Sequence, residues 1–340
     1  MTIRERYQQT ESEMLAPYAV KSSQSMGRRT PIAECDMRTC FQRDVDRITH
    51  CKAFRRLMRK TQVFLSPEGD HYRTRLTHTL EVSRIARTIA RALKLNEDLV
   101  EAIALAHDLG HTPFGHEGEF ALNDVVPGGF YHNEQSVRVV ERIEADGKGL
   151  NLSLEVIDGI RCHTGSLIAS TSEGRIIKFA DRIAYINHDI DDAIRAGILK
   201  DDDIPAHLSD VLGNSYSVRI DTMVRDVINS SVDGNIGMSE EVGGAMLELR
   251  EFMFEAVYKN PVAKGEESKA QDMLKKLYEF FVKNPDKLPD EYIKIADSDG
   301  VERAVCDYVA GMTDSYAVNC FERLFVPRGW GFFETSGIRN

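Results

Sequence analysis

The chain has 340 residues, 42% of them hydrophobic, and a formal net charge of −11 at neutral pH. That length allows one large domain or two small ones with a real core, and the acidic balance disfavours broad attraction to nucleic acid or to an anionic membrane. No apolar run reaches bilayer length, MTIRERYQQTESEM holds no apolar signal core, and the six cysteines are scattered without a CxxC pair. A cytoplasmic chain is therefore expected, with reduced, mostly packed thiols, no zinc–thiolate site and no membrane partner.

Residues 1–37 read as a polar N-terminal arm or mobile lead-in, suited to packing on a neighbouring subunit. Positive charge then concentrates in Arg38, Arg43, Arg47, Lys52, Arg55, Arg56, Arg59 and Lys60. Arg59 and Lys60 read as a solvated helix face, and Arg55 and Arg56 as either ion-paired or phosphate-contacting groups. Phe41, Val45 and Ile48 share one helical face, and Phe54, Leu57 and Met58 belong to a second element. Residues 61–67 read as extended and 66–70 as a turn.

A long amphipathic helix is expected over 74–95, with Val82, Ile85, Ile89 and Leu93 as its apolar stripe. His78 lies one turn before Val82 on the same face, so it points inward. Arg75 shares that side, while Arg73, Arg84, Arg87 and Arg91 read as surface. The next helix, 99–109, puts Leu99, Ile103 and His107 on one stripe, and Gly110 reads as the residue that lets it stop.

The run AHDLGHTPFGHEGE at 106–119 packs His107, His111 and His116 with Asp108, Glu117 and Glu119. So many imidazoles and carboxylates in one short stretch need opposite charge or a metal. The His107-Asp108 doublet offers one nitrogen and one oxygen ligand. His78 upstream and Asp181 downstream are candidates to complete a mixed set, which suits Mg, Mn or Fe better than thiolate-loving metals.

Further on, His132 falls at a helix start, and a helix over 155–162 leads to His163, which reads either as a satisfied core histidine or as a metal or substrate group. A helix over 174–197 carries Asp181, Tyr185 and Asp189 every four residues, a stripe that is either solvent surface or site. Helices are expected over 218–228, 242–258, 271–282 and 301–325, with breaks at 233–237 and 260–261. The aromatic tail at 329–333 reads as core or subunit packing. The division expected is an arm at 1–37, a catalytic core at 38–200 and a C-terminal helical region at 201–340 that completes the pocket and subunit contacts.

Six strings in order carry a resemblance: AFRRLMRKTQVF, TRLTHTLEVS, AHDLGHTPFGHEGE, YHNEQSVR, ADRIAYINHDIDDA and VCDYVAGMTDSYA. Together they resemble the deoxyguanosinetriphosphate triphosphohydrolase (dGTPase) family of the HD-domain phosphohydrolases. The resemblance implies an all-α fold, an HD-domain helical bundle with additional C-terminal helices. It implies a divalent metal (Mn, Mg or Fe, with Ni, Co or Zn also compatible) on His78, His107, Asp108 and Asp181. Gln62 resembles the residue that touches the deoxyribose in such enzymes, and Tyr185 and Asp189 those that line the nucleotide pocket and bind the sugar 3′-hydroxyl.

The activity implied is hydrolysis of a dNTP to deoxynucleoside and inorganic triphosphate. His116 is expected as the acid–base group with Glu119 orienting it, and Arg75, His111 and His132 as phosphate contacts. A homo-oligomer is expected, and an allosteric nucleotide or single-stranded DNA is a further possible partner. Two alternatives stay open: another HD-domain phosphohydrolase acting on a nucleoside monophosphate, cyclic dinucleotide or alarmone, and a regulatory module that binds nucleotide or single-stranded DNA.

Overall fold

The computed structural model describes residues 1–62, 73–258 and 261–327. The expected extended segment and turn at 63–70 and the tail at 329–333 lie outside the described residues, as does position 260 of the expected break. Among the described residues there are sixteen α-helices and no strands, only isolated bridges such as Thr61 with Thr74. In chain order the helices are α1 (Ile3–Met14), α2 (Cys40–His50), α3 (Lys52–Arg56), α4 (Arg75–Ala92), α5 (Glu97–Ala106), α6 (Gly115–Val125), α7 (His132–Arg138) and α8 (Leu154–Cys162). They continue with α9 (Ser172–Arg195), α10 (Ala206–Leu212), α11 (Tyr216–Ser230), α12 (Glu240–Met253), α13 (Pro261–Lys283), α14 (Asp290–Asp299), α15 (Val301–Ala310) and α16 (Asp314–Phe325). The fold is all-α, as the resemblance implies.

Local chemistry sets where the helices begin. Thr39 and Gln42 form a capping box on α2, Asn96 accepts from the amides of Asp98 and Leu99 at the start of α5, and Thr171 accepts from Gly174 at the start of α9. The last half of α5, residues 102–106, is apolar all round, and Leu99, Val100, Ala102, Ile103, Ala104, Leu105 and Ala106 are all buried. Such a helix is stable only inside the molecule, and α2, α4, α8 and α9 surround it. That is the first apolar core, which α11 and α12 extend. A second core joins α6 to α13, α14, α15 and α16 through Leu122, Phe130, Leu274, Leu277 and Val305. The 107–114 stretch crosses from the first core to the second.

Residues 1–37 do not project as a mobile lead-in but are anchored on the chain's own core. Glu11 is buried and accepts from the amide and hydroxyl of Ser22 and from Asn96 Nδ2, while Glu173 accepts from the amides of Val20 and Asn96. A buried carboxylate is tolerated only with such donors, so the polar residues that suggested a loose arm are its fastening. The expected helix over 301–325 is two helices. Thr313 accepts from Tyr316 and caps α16, which ends α15 at Ala310 and turns the chain.

The basic run is mostly committed to structure. Arg38 pairs with Asp46, Arg47 donates to the carbonyls of Leu150 and Asn151, Arg55 donates to the carbonyl of His50, and Arg56 lies 3.7 Å from Glu144. Lys60, expected on a solvated face, is buried: a short 3-10 turn after α3 swings it inward, where Nζ donates to the carbonyls of His111 and Ala310. Arg73, expected at the surface, is partly buried between Glu81, Asp191 and Asp192.

The two cores are also tied by charge. Arg138 of α7 pairs with Asp299 at 2.7 Å and with Asp307 of α15. The Arg138 hydrogen bond, helped by Ser298 and Arg142, brings the Asp299 carboxyl down to about 2. A depressed carboxyl stabilises the fold above its unfolded value and loses that contribution as pH falls through its folded value. Asp299→Asn is therefore expected to lower stability by about 1 kcal/mol at pH 7, the scale of a screened pair. The gap from the unchanged protein should close between pH 4 and 2 in urea titrations, and a gap that is constant with pH would remove the ion-pair account.

Candidate metal centre

Three helices aim the motif side chains at one point. His78 from α4 is 1% exposed, and His107 at the C-terminus of α5 is 0% exposed. Asp108 follows directly, and Asp181 comes from the middle of α9. Nε2 of His78 lies 3.1 Å from Oδ1 of Asp181 and 3.8 Å from Oδ2 of Asp108. Nε2 of His107 lies 3.4 Å from Oδ1 of Asp108 and 3.9 Å from Oδ1 of Asp181. Donor atoms about 3 Å apart are the spacing that ligands roughly 2.1 Å from a common cation adopt.

The donor set fits a cation. Nδ1 of His107 is 2.6 Å from the carbonyl of Ala104, which leaves the Nε2 lone pair facing the two carboxylates, and that nitrogen has no hydrogen-bond partner. Against the upward push of burial, His78 and His107 bring the Asp181 carboxyl down to about 2. Asp108 is likewise held well below its usual range, burial being overcome by His107, His111, Arg75 and His78. Two ionised carboxylates and two imidazoles in a buried cluster match a hard or borderline divalent ion.

Around this point sits a second layer of polar groups. Arg75 is 1% exposed; its Nη1 donates to Oδ2 of Asp108 at 2.6 Å, while Nε and Nη2 have no partner. Gln62 is buried with Oε1 unpartnered, and His111 is buried with Nδ1 unpartnered. Burial, with Arg75 and His132 close by, holds His111 well below the ordinary imidazole value. His111 stacks on His132 at 4.0 Å, and Nε2 of His132 meets Nε2 of His163 at 3.1 Å. Burial with His107 and His132 brings His163 down to about 3, so it stays neutral.

His116 occupies the rim, with its side chain 67% exposed and Nδ1 3.5 Å from Glu119. Glu119 is held more closely by His132, accepting from its amide at 2.9 Å and lying 3.0 Å from its Nδ1. Burial lowers the His132 pKa, but the Glu119 carboxylate outweighs this and raises it. Tyr185 is half-buried, and its hydroxyl pKa is pushed up to about 12 by burial. Asp189 is only 2% exposed and lies behind the ligand set, with Oδ1 2.7 Å from Nδ1 of His188.

The loop that presents these groups is pinned from both sides. Ser136 Oγ donates to the carbonyl of His107 and accepts from the amide of Gly110. Gly110 does not take the left-handed conformation expected of a helix stop, which falls instead on Phe114 and Gly115. Glycine is required at 110 because α7 passes too close for a side chain: a Cβ there would lie 2.1 Å from the amide nitrogen of Ser136. Asp314 accepts from the amides of Thr61 and Phe114, at 2.8 and 3.0 Å, and so ties the second core to the site.

Ser136, Lys60, Asp314 and His188 were not singled out as site groups in the sequence. His188 alone carried a local signal, since at seven residues from Asp181 it falls on the same helical face.

Comparison with known proteins places the chain. The HD domain model matches residues 75–186, and a phosphohydrolase-associated domain model matches 236–323. A deoxyguanosinetriphosphate triphosphohydrolase-like protein of Caldanaerobacter subterraneus subsp. tengcongensis is 57% identical over 331 residues, covering 97% of this chain and 98% of the relative. One from Clostridium perfringens strain 13 is 51% identical, covering 96% and 99%. The crystal structure of a phosphohydrolase from Bacteroides thetaiotaomicron VPI-5482 shares the fold, with a TM-score of 0.53 at 18% identity over 82% of this chain and 67% of that one. With identity this high across nearly the whole length, and the HD residues converging as described, the chain belongs to the deoxyguanosinetriphosphate triphosphohydrolase-like family of HD-domain phosphohydrolases.

Proposed function

We propose that the chain hydrolyses a deoxynucleoside triphosphate to deoxynucleoside and inorganic triphosphate. The observation that carries this reading is a convergence of buried, unpartnered polar atoms. His107 Nε2, His111 Nδ1, and Arg75 Nε and Nη2 all lack a hydrogen-bond partner, and they belong to motif residues around the Asp108 carboxylate. Buried polar groups are rarely left unsatisfied unless a ligand satisfies them.

His78, His107, Asp108 and Asp181 would hold a divalent cation, which supplies charge to polarise a phosphoryl group and to acidify water. The Arg75 guanidinium, fixed by Asp108, presents its remaining donors to phosphate oxygens. His111 and His132 form a stacked pair on the way to the rim and suit phosphate oxygens too. His116 has the exposure needed to exchange a proton with substrate, and Glu119 orients it while also holding His132. Gln62 and Tyr185 are the sugar- and base-side groups. Asp189, the group the resemblance assigns to the sugar 3′-hydroxyl, lies beside His188.

The test is incubation of the purified chain with each of the four dNTPs and Mn or Mg, followed by identification of the phosphate product. Inorganic triphosphate and free deoxynucleoside support the reading; orthophosphate, pyrophosphate or no turnover with any pair overturns it. His116→Ala is expected to lower kcat by about 10²–10⁴-fold, the contribution of a positioned acid–base group. Its metal content should remain that of the unchanged protein by elemental analysis, because His116 lies outside the ligand set. Loss of metal in that variant would move His116 out of the acid–base role.

A further inference from the structure

We infer that His188 is a positioning residue: it holds the imidazole of His78 in the tautomer that can bind a cation. The inference rests on the metal-site reading above and goes beyond it. Nδ1 of His78 and Nε2 of His188 are 2.9 Å apart, with the two rings nearly perpendicular at 85°. Both residues are buried, at 1% and 0% exposure, so water does not compete for the contact. Two imidazole nitrogens at this distance share one proton, so one must donate and the other accept.

The surroundings decide which donates. Nε2 of His78 faces Asp181 at 3.1 Å and Asp108 at 3.8 Å, the side on which a cation would be bound. A ligand lone pair there requires the proton on Nδ1, and His188 Nε2 must then accept it. That leaves His188 with its own proton on Nδ1, beside Oδ1 of Asp189 at 2.7 Å. This last contact is close but not aligned as a hydrogen bond, so its effect is electrostatic. The reverse assignment puts the lone pair of His188 Nδ1 against the Asp189 carboxylate. The Asp189 carboxylate therefore favours the His188 tautomer that accepts from His78 Nδ1, and so supports the metal-ready form of His78 against the pull of the Asp181 carboxylate on its proton.

The other inward histidines show why α4 needs this device. His107 and His163 sit at helix C-termini, and each places Nδ1 against the carbonyl three residues earlier, Ala104 at 2.6 Å and Ile160 at 2.7 Å. His78 lies near the start of α4, where its Nδ1 turns to a side chain of α9 instead. The same helix α9 thus supplies a direct ligand, Asp181, and the group that orients another.

The experiment compares His188→Gln, whose amide oxygen can still accept from His78 Nδ1, with His188→Leu, which cannot. Mn affinity is measured on the full chain by titration with electron paramagnetic resonance of free Mn, and the metal-free proteins are melted in parallel. The expected result is a loss of Mn affinity of about 10–100-fold for His188→Leu, the usual range for removing the group behind a ligand. His188→Gln is expected to keep most of the affinity, and the chain labelled with ¹⁵N-histidine and loaded with diamagnetic Zn to show His188 protonated at Nδ1.

Unchanged Mn affinity in His188→Leu overturns the inference, as does equal loss in both variants or a His188 found protonated at Nε2 in the Zn-loaded protein. The last measurement needs no variant and stands even where His188→Leu fails to fold. A wild-type chain that binds no Mn removes the metal site and this inference together, whereas tight wild-type binding with unchanged His188→Leu affinity removes only the role of His188.

Discussion

Asp108→Ala is expected to abolish metal uptake and to lower phosphohydrolase activity by about 10³-fold or more, the scale of losing a cation that stabilises several kcal/mol of developing charge. Asp108 touches four groups of the site, Arg75, His78, His107 and His111. Its Oδ1 lies 3.4 Å from His107 and 3.6 Å from His111, and its Oδ2 takes the Arg75 hydrogen bond at 2.6 Å. Removing it deletes a candidate ligand and releases a buried guanidinium that already has two unpartnered nitrogens. The variant should therefore also lose stability, because an uncompensated buried charge is costly. Elemental analysis and triphosphate release read the first effect, and thermal melting reads the second. Asp108→Ala retaining metal and turnover would show that the HD doublet is not the centre of the chemistry.

Gly110→Ala is expected to be strongly destabilising, at about 3 kcal/mol or more, the upper part of the range for overpacking. A Cβ at this position would stand 2.1 Å from Ser136 N, 2.4 Å from Gln135 C and 2.6 Å from His132 O. These are backbone atoms of α7 and cannot rotate away. Relief requires α7 to move, which would carry His132 from Glu119 and break the Ser136 bridge to His107. Gly244→Ala is the contrast: it lies within α12, and nothing comes within 4 Å of a Cβ there. Alanine at 244 should be neutral or stabilising by up to about 1 kcal/mol, from helix propensity. Urea unfolding of both variants checks the pair, and similar stabilities for the two would remove the close-packing argument.

Much of the fold and the inner site was legible because it depends on short-range spacing. The 3.6-residue period placed His78 on the apolar face of α4 and His107 on that of α5, and both are fully buried. The same period put Asp181 and Tyr185 on one face of α9. Composition pointed to packed, reduced thiols, and all six cysteines are free. Where the local pattern was ambiguous, the reading failed. Lys60 follows Arg59 and looked solvated, but one 3-10 turn buries it against two carbonyls from distant segments. Gly110 looked like a helix stop, and the reason for it lies in a helix that begins 22 residues later in the chain.

By itself the sequence determined the helical class, the family resemblance and the inward direction of the histidines, because periodicity and motif order are properties of neighbouring residues. Only the tertiary structure decided which groups meet. Glu119 lies three residues from His116 in the chain, yet it is closer to His132, because the start of α7 is packed against α6. Asp314 reaches Thr61 across 253 residues of chain and Phe114 across 200, and His188 reaches His78 across 110. Such contacts follow from how helix faces pack around a shared core, and no local spacing encodes that.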